Sequence, residues 1–313
     1  MSIHQEIIKK IEEFNTIIIH RHVIPDGDAM GSQVGLSEII KTTYPEKEVY
    51  IVGEELAYLG YVGKMDQIDD SKYEGALVII VDTANAPRIS DERYNLGAYK
   101  IKIDHHPNHD HYADLEWVDT TYPACCEMIA EFLISNNLKC SEKGAFAIFN
   151  GMVSDTGRFL YRGVSERTFR HVAELLAYEF DMSALYASMY AQSKELTRFK
   201  GYVLLNFKET ENGVGYVKFD DALLKELQIT EVEASANVNT LANIVGIKIW
   251  AFFVENIESK DVRVNLRSAG APVNSIAIKY GGGGHLQAAG ARAKDFATVD
   301  QIIADLDELA KEY

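Results

Sequence analysis

Residues 16–32 read Thr-Ile-Ile-Ile-His-Arg-His-Val-Ile-Pro-Asp-Gly-Asp-Ala-Met-Gly-Ser. The β-branched run Thr16–His20 is short and apolar, as expected of a fully buried parallel strand. A polar crossing follows, with His22, Asp26 and Asp28 in H-x-x-x-D-x-D spacing and Gly27 allowing a tight bend. A helical pattern then covers about 29–42. Strand, polar crossing and helix make the first half of a βαβ unit, and the rhythm repeats downstream. Short apolar runs recur at 49–52, 76–81 and 99–103. Residues 3–14 form an amphipathic helix with Ile3, Ile7, Ile8, Ile11 and Phe14 on one stripe. Further helical patterns cover 124–138, with Pro123 at the first helical position, then 143–153, and 165–190 with breaks. The alternation predicts an α/β fold, a parallel sheet with flanking helices and covered on both faces.

After about residue 195 the rhythm changes. Strands are expected at 201–207, 215–219, 247–255 and 261–266, with helices near 220–228, 235–244, 272–280 and 298–312. This predicts a second, smaller α/β domain. The expected division is 1–188 and 200–313, with a helix over 183–200 carrying the linker. Internal repeats and low-complexity tracts are absent.

The chain has 313 residues and a formal net charge of −16, with 47% hydrophobic and 25% charged residues. That composition excludes disordered, collagenous and disulfide-scaffold classes. No apolar run approaches the ~18 residues of a membrane span, and the N-terminus shows no secretory signal. Cys125, Cys126 and Cys140 do not make a disulfide framework, which points to the reducing cytoplasm. The acidic balance argues against duplex nucleic acid as partner, because phosphate neutralisation needs a basic face. It leaves room for a small anionic substrate if metal ions supply the positive charge.

Acidic and histidine residues stand where the expected strands and helices end. The run 76–81 ends on Asp82, the run 99–103 ends on Asp104-His105-His106, and the helix over 143–153 delivers Asp155. In an open parallel sheet the carboxyl ends of the strands converge on one crevice. Four aspartates and two histidines form a mixed oxygen and nitrogen set that suits two Mn²⁺ ions, with Mg²⁺ or Co²⁺ as substitutes. Four carboxylates against two divalent ions leave roughly zero charge, so a bridging hydroxide and a phosphate are still accepted. Asp82 is the expected bridging ligand, since it stands alone at a strand end. His22 is preferred over His20 by its four-residue step to Asp26.

The sequence resembles a known family at these positions. His22, Asp26-x-Asp28, Asp82, Asp104-His105-His106 and Asp155 are similar to the four motifs of the DHH phosphoesterase superfamily. Gly281-Gly282-Gly283-Gly284-His285, followed by Ala288-Ala289-Gly290, is similar to the signature of its DHHA1 domain. The resemblance spans nearly the whole chain and fits the stand-alone nanoRNase/pAp phosphatase branch. It implies that His22, Asp26 and Asp82 hold one Mn²⁺, and that Asp28, Asp82, His105 and Asp155 hold the other. It further implies that His106 faces the substrate phosphate, that Asp104 orients the histidines, and that a DHHA1 domain binds the nucleotide and closes over the cleft.

The window 251–294 carries six basic residues (Lys260, Arg263, Arg267, Lys279, Arg292, Lys294) against three acidic ones (Glu255, Glu258, Asp261). Arg263, Asn265 and Arg267 alternate along a strand and share a face. A guanidinium there forks onto phosphate or stacks on a base. Gly282, Gly283 and Gly284 let backbone N–H groups approach an anion, unless the run only terminates a helix, and His285 adds a donor. Arg158 and Arg162 are candidates for phosphate contact or for salt bridges within the domain. His109 and His111 follow the triplet in a polar loop and are read as solvated. Cys125 and Cys126 have no C-x-x-C partner and are read as small core residues.

These readings together predict an Mn²⁺-dependent phosphohydrolase. The resemblance implies that it degrades RNA oligonucleotides of about two to five residues to mononucleotides and dephosphorylates 3′-phosphoadenosine 5′-phosphate (pAp) to AMP. The alternative is a pApA or c-di-AMP phosphodiesterase with the same catalytic residues. Remoter ones are a pyrophosphatase-like hydrolase and a non-catalytic nucleotide sensor. Short RNA, pAp and linear dinucleotides are the expected partners; duplex nucleic acid and membranes are not, and a homodimer is left open.

Overall fold

The computed structural model describes residues 1–161 and 163–313 and divides into two units, Met1–Tyr190 and Ala191–Tyr313. In the first unit, β1 (Thr16–His20), β2 (Glu48–Ile51), β3 (Leu77–Val81), β4 (Tyr99–Asp104) and β5 (Leu115–Val118) form an all-parallel sheet in the order β2-β1-β3-β4-β5. Strand order reverses at β1, so the crevice at its carboxyl end, beside β3, is the topological switch point of the sheet.

Alternation along these strands splits the core into two layers. Ile17, Ile19, Leu77, Ile79, Val81, Ile101 and Ile103 pack on one face against helical residues such as Ile7, Ile11, Val34 and Phe149. Ile18, Val78 and Ile80 point to the other face and meet Val52, Tyr73 and Ile89. The helical face carries α1 (Ile3–Glu13), α2 (Gly27–Thr43), α3 (Cys125–Ser135), α4 (Glu142–Asp155), α5 (Glu166–Leu176) and α6 (Met182–Met189). Between β2 and β4 the chain runs through 3₁₀ turns at Ala57–Leu59, Asp70–Tyr73, Ala86–Arg88 and Glu92–Leu96. The second face is therefore covered largely by turns, in a stretch where the sequence shows no helical pattern.

Helices α2 and α4 meet along a seam too narrow for side chains. A Cβ added to Gly31 would lie 2.4 Å from the Ala147 carbonyl oxygen and 2.8 Å from Cys126 Sγ. One on Gly27 would meet Ser154, one on Gly35 would meet Ile148, and one on Gly151 would meet Cys126. This spacing of four residues along α2 brings the N-terminus of α2 alongside the C-terminus of α4.

The second unit is a mixed sheet in the order β10-β11-β9-β8-β7-β6. Its strands are β6 (Lys208–Glu209), β7 (Val214–Phe219), β8 (Ile249–Asn256), β9 (Asp261–Ser268), β10 (Gly283–His285) and β11 (Ala288–Ala293). Only β7 and β8 pair in parallel. Ile249, Ala251 and Phe253 of β8 pack with Val299, Ile302 and Leu306 of α11 (Phe296–Ala310) and with α10 (Val273–Lys279). Trp250, Phe252 and Val254 pack on the opposite face with Phe199 and Val203 of α7 (Lys194–Asn206) and with α8 (Asp221–Glu226) and α9 (Glu231–Ala236).

Several expectations are corrected. The helix expected over 183–200 is two helices, α6 and α7, broken at Tyr190, with Ser193 capping α7 through the Leu196 N–H. The strand expected at 201–207 is the second half of α7: Phe199 and Val203, four residues apart, are buried, while Leu204 and Leu205 face water. Residues 235–244 hold the end of α9 and a 3₁₀ turn, Val238–Leu241. Pro123 precedes the N-cap residue Ala124 and is not the first helical residue. Asp155 closes α4 instead of following it.

Candidate metal centre

The first ligand group grows from the crossing after β1. Asp26 is the N-cap of α2, and its Oδ1 accepts the N–H groups of Asp28 and Ala29, both at 3.0 Å. That leaves Oδ2, which stands 3.7 Å from His22 Nε2. The His22 ring donates Nδ1–H to the Val23 carbonyl at 2.8 Å, which fixes the tautomer and leaves Nε2 as a lone-pair donor. Asp82 follows β3 with a left-handed backbone (φ 49°), sparsely populated for a residue with a side chain. Its Oδ2 lies 3.5 Å from His22 Nε2 and its Oδ1 3.4 Å from His105 Nε2. One buried carboxylate thus faces both imidazoles.

The second group centres on His105, whose Nδ1–H is donated to the Tyr122 carbonyl at 3.2 Å. Its Nε2 lies 3.7 Å from Asp155 Oδ2 and 3.8 Å from Asp28 Oδ2. Asp28 also has a structural task that sequence spacing does not reveal. Its Oδ2 accepts the Cys125 N–H at 2.6 Å and its Oδ1 the Cys126 N–H at 2.8 Å. It caps α3 from outside that helix, whose own N-cap residue, Ala124, has no side chain for the purpose.

The ligand atoms of His22, Asp26 and Asp82 lie within 4.8 Å of one another, as do those of Asp28, His105 and Asp155. A third such group joins Asp82, His105 and His106. There, however, His106 Nδ1 is held 2.9 Å from Asp104 Oδ1; since the carboxylate only accepts, Nδ1 carries the proton and is not a ligand atom. His106 Nε2 remains outward-facing on a half-exposed side chain. The residues present fit a pair of divalent cations on a direct observation: Asp82 Oδ1 and His105 Nε2 are buried without a hydrogen-bond partner among the described residues.

The electrostatics agree. Burial, and then the charge of Asp82, push Asp28 up to about 7. Burial, and then Asp28, push Asp155 up to about 9. Burial opposes charge on His22, but Asp26 and Asp82 outweigh it and raise its pKa to about 10. His105 is likewise raised to about 10, burial being overcome first by Asp82 and then by Asp28. For Asp82, burial is overcome by His105 and His22, which hold it below the usual carboxylate range. Without a cation, the cluster holds protons to offset its own negative charge.

The other candidates separate clearly. His20 is a core residue: its Nδ1 faces the Ser90 carbonyl at 3.0 Å and its Nε2 the Tyr73 hydroxyl at 3.1 Å, and burial lowers its pKa to about 4. His109 is exposed, and His111 pairs with Glu116 at 2.7 Å. Cys125 and Cys126 are buried free thiols. The exposed Arg158 guanidinium lies 5.4 Å from the Tyr190 ring centroid, and Arg162 falls outside the described residues.

In the second unit, Arg263 and Asn265 line an open depression of about 500 Å³ with Tyr280, Gly281, Gly282, Gly290 and Arg292. Arg267, Gly283, Gly284 and His285 are not among its lining residues. Arg267 is half-buried, donating to the Leu266 carbonyl at 2.9 Å. Gly283, Gly284 and His285 pair with Gly290, Ala289 and Ala288 as an edge strand. A Cβ on Gly282 would lie 2.1 Å from the Gly290 carbonyl oxygen, so the close approach of β10 and β11 needs glycine there.

Sequence reading missed Lys102, a fully buried lysine beside Asp104. It also missed Asn150, which donates to the Gly27 carbonyl at 3.3 Å and accepts the Tyr61 hydroxyl at 2.8 Å. Nothing in linear spacing pairs residue 150 with residue 27; the α2–α4 seam does.

Comparison with known proteins gives matches over both units. Residues 16–152 match the DHH family, N-terminal domain, and residues 216–312 match the DHHA1 domain. A Bacillus subtilis protein named bifunctional oligoribonuclease and PAP phosphatase NrnA is 44% identical, covering 98% of this chain and 99% of its own length. A Streptococcus mutans protein, named as a probable enzyme of the same kind, is 42% identical over 99% of this chain and 100% of its own. A crystal structure of an exopolyphosphatase-related protein from Bacteroides fragilis superposes with a TM-score of 0.84 at 24% identity. It covers 99% of this chain and 97% of that one.

Proposed function

This chain belongs to the DHH phosphoesterase family and carries its DHHA1 domain, and from that premise we propose that it is a bifunctional oligoribonuclease and pAp phosphatase. Its substrates would be RNA oligonucleotides of about two to five residues, cut to mononucleotides, and pAp, dephosphorylated to AMP in the cytoplasm. The full-length 44% match to an enzyme of that name carries this reading.

We assign one Mn²⁺ to His22, Asp26 and Asp82 and a second to Asp28, Asp82, His105 and Asp155. When bound, such a pair supplies Lewis-acid polarisation of the phosphoryl group and lowers the pKa of the attacking water. The protein's own part is to orient and to neutralise. The Val23 and Tyr122 carbonyls hold the two imidazoles with Nε2 inward. Asp104 holds His106 so that Nε2 is offered to the phosphate, where it stabilises developing charge. The first unit performs hydrolysis, and the second reads the nucleotide. There Arg263, Arg267, His285 and the backbone of Gly282, Gly283 and Gly284 contact phosphate or base, while Arg158 of the first unit adds a guanidinium.

The test is turnover with and without Mn²⁺ on pAp, pApA, c-di-AMP and a five-nucleotide RNA in parallel. AMP from pAp and mononucleotides from the pentamer, both dependent on Mn²⁺, are expected. Cleavage of c-di-AMP alone, or of neither expected substrate, would overturn the proposal.

A further inference from the structure

Lys102 lies in β4 with no exposed surface, in a sheet whose other buried strand positions are mostly aliphatic. Burying an ammonium is costly unless its donors are satisfied and its charge is compensated. All three donors are spent, on the Ala84 carbonyl at 3.0 Å, the Asn108 side-chain oxygen at 3.1 Å and the Asp110 carbonyl at 3.3 Å. The nearest carboxylate oxygen is Asp104 Oδ2, 3.6 Å away, itself buried and without a hydrogen-bond partner among the described residues. The Tyr112 ring lies 4.7 Å from Nζ, and its hydroxyl donates to the Thr83 carbonyl at 2.6 Å. Lys102 therefore ties the loop after Asp82 to the loop after His106, and places a positive charge behind the carboxylate that holds His106.

We propose that Lys102 is a positioning residue for His106: by latching the two loops and countering the charge of Asp104, it keeps the Asp104–His106 hydrogen bond in place. Asp104 is a fifth carboxylate in a region where two divalent ions balance only four. Without Lys102, the buried Asp104 charge is uncompensated, and His106 loses its fixed orientation. The proposal rests on the phosphoesterase reading for what His106 faces, but not for the geometry behind His106.

The experiment compares Lys102→Met, Asp104→Asn and the double variant, each folded and loaded with metal. On a dinucleotide, Lys102→Met is expected to lower kcat by ~30- to 100-fold, as for partners that orient a functional histidine, with KM within about twofold. The double variant is expected to be no worse than the poorer single one, because both changes break the same bond. In the Mg²⁺-loaded protein, the downfield proton resonance of His106 Nδ1–H is expected in wild type and absent from both single variants. Multiplicative losses in the double variant, kcat within threefold of wild type, or a retained resonance in Lys102→Met would each overturn the proposal.

Should Lys102→Met not fold, Asn108→Leu removes one latch and keeps the charge. A several-fold kcat loss, not deepened by Asp104→Asn, is then expected, and an unchanged kcat overturns the proposal. If wild type hydrolyses none of the nucleotides, the proposed function fails, while the resonance still decides the role of Lys102.

Discussion

The two units treat charge in opposite ways. The first buries Arg21, His22, Asp28, Asp82, Lys102, Asp104, Glu127 and His171, whereas the buried polar residues of the second, among those described, are Ser235 and Ser268. Three cations of the second are well exposed: the Arg263, Lys279 and Arg292 side chains are 45%, 58% and 62% accessible. A buried charge works in a low dielectric, where it is strong but demands compensation; an exposed one is screened and replaceable. The first unit thus concentrates its charges in a low dielectric, as the proposed metal pair requires, whereas the second keeps these cations at the surface, paired with Glu231, Asp305 and Asp261.

The sharpest attempt to break this contrast is Asp82→Ala, which removes the carboxylate facing both imidazoles. Turnover on every substrate is expected to fall by ~10³ or more, because both proposed ions would lose a ligand together. Near-normal hydrolysis in saturating Mn²⁺ would show that the buried cluster is not the engine.

Gly31→Ala tests whether the seam between α2 and α4 is what assembles that cluster. A new methyl group 2.4 Å from a backbone oxygen is expected to destabilise the first unit by roughly 3 kcal/mol, read by denaturant unfolding. A loss under about 0.5 kcal/mol would mean that the helices part freely.

Arg267→Ala probes the second unit. On a dinucleotide, KM is expected to rise by ~10-fold, with kcat changed less, as for a group that binds substrate and transition state alike. An unchanged KM removes Arg267 from recognition.

The last test concerns protons. His22, His105 and Asp155, raised to about 10, 10 and 9, and Asp28, raised to about 7, bind more protons folded than unfolded. The stability that the histidines confer on the metal-free protein is present below pH 6.5 and lost as pH rises through about 10, and the raised carboxylates act in the same direction through 7 and 9. The metal-free Tm is expected to fall steadily from pH 7 to 9.5, and Mn²⁺ to abolish that slope. A metal-free Tm that rises over the same interval would contradict the assigned protonation.

Much of this was legible in sequence wherever one strand's own residues carry the signal. Strands β1 and β3 are buried on both faces, so their apolar runs stand out, while β4 alternates Tyr99, Ile101 and Ile103 with Lys100 and Lys102; the acids that close β3 and β4 mark the crevice. The rest depends on partners distant in sequence. Strand β11, Ala-Ala-Gly-Ala-Arg-Ala, has no β-branched residue and exists because β9 and β10 flank it. The stretch 201–207 has a strand-like composition, yet Phe199 and Val203 commit it to a helix. Lys102 occupies an alternating position that reads as solvated, because the loop covering it, 107–112, lies beyond the strand itself. Asp28 as the cap of α3 bridges 97 positions and leaves no local trace.

The seam of Gly27, Gly31 and Gly35 has a consequence for ancestry. Its demand is steric, set by contact between two helices, and is indifferent to whether phosphate is ever cleaved. A descendant that had shed its aspartates and histidines would still need those glycines to close its core. The four-residue glycine spacing is accordingly a means of finding degenerate, non-hydrolytic cousins of this fold that a search keyed to the acidic motifs would overlook.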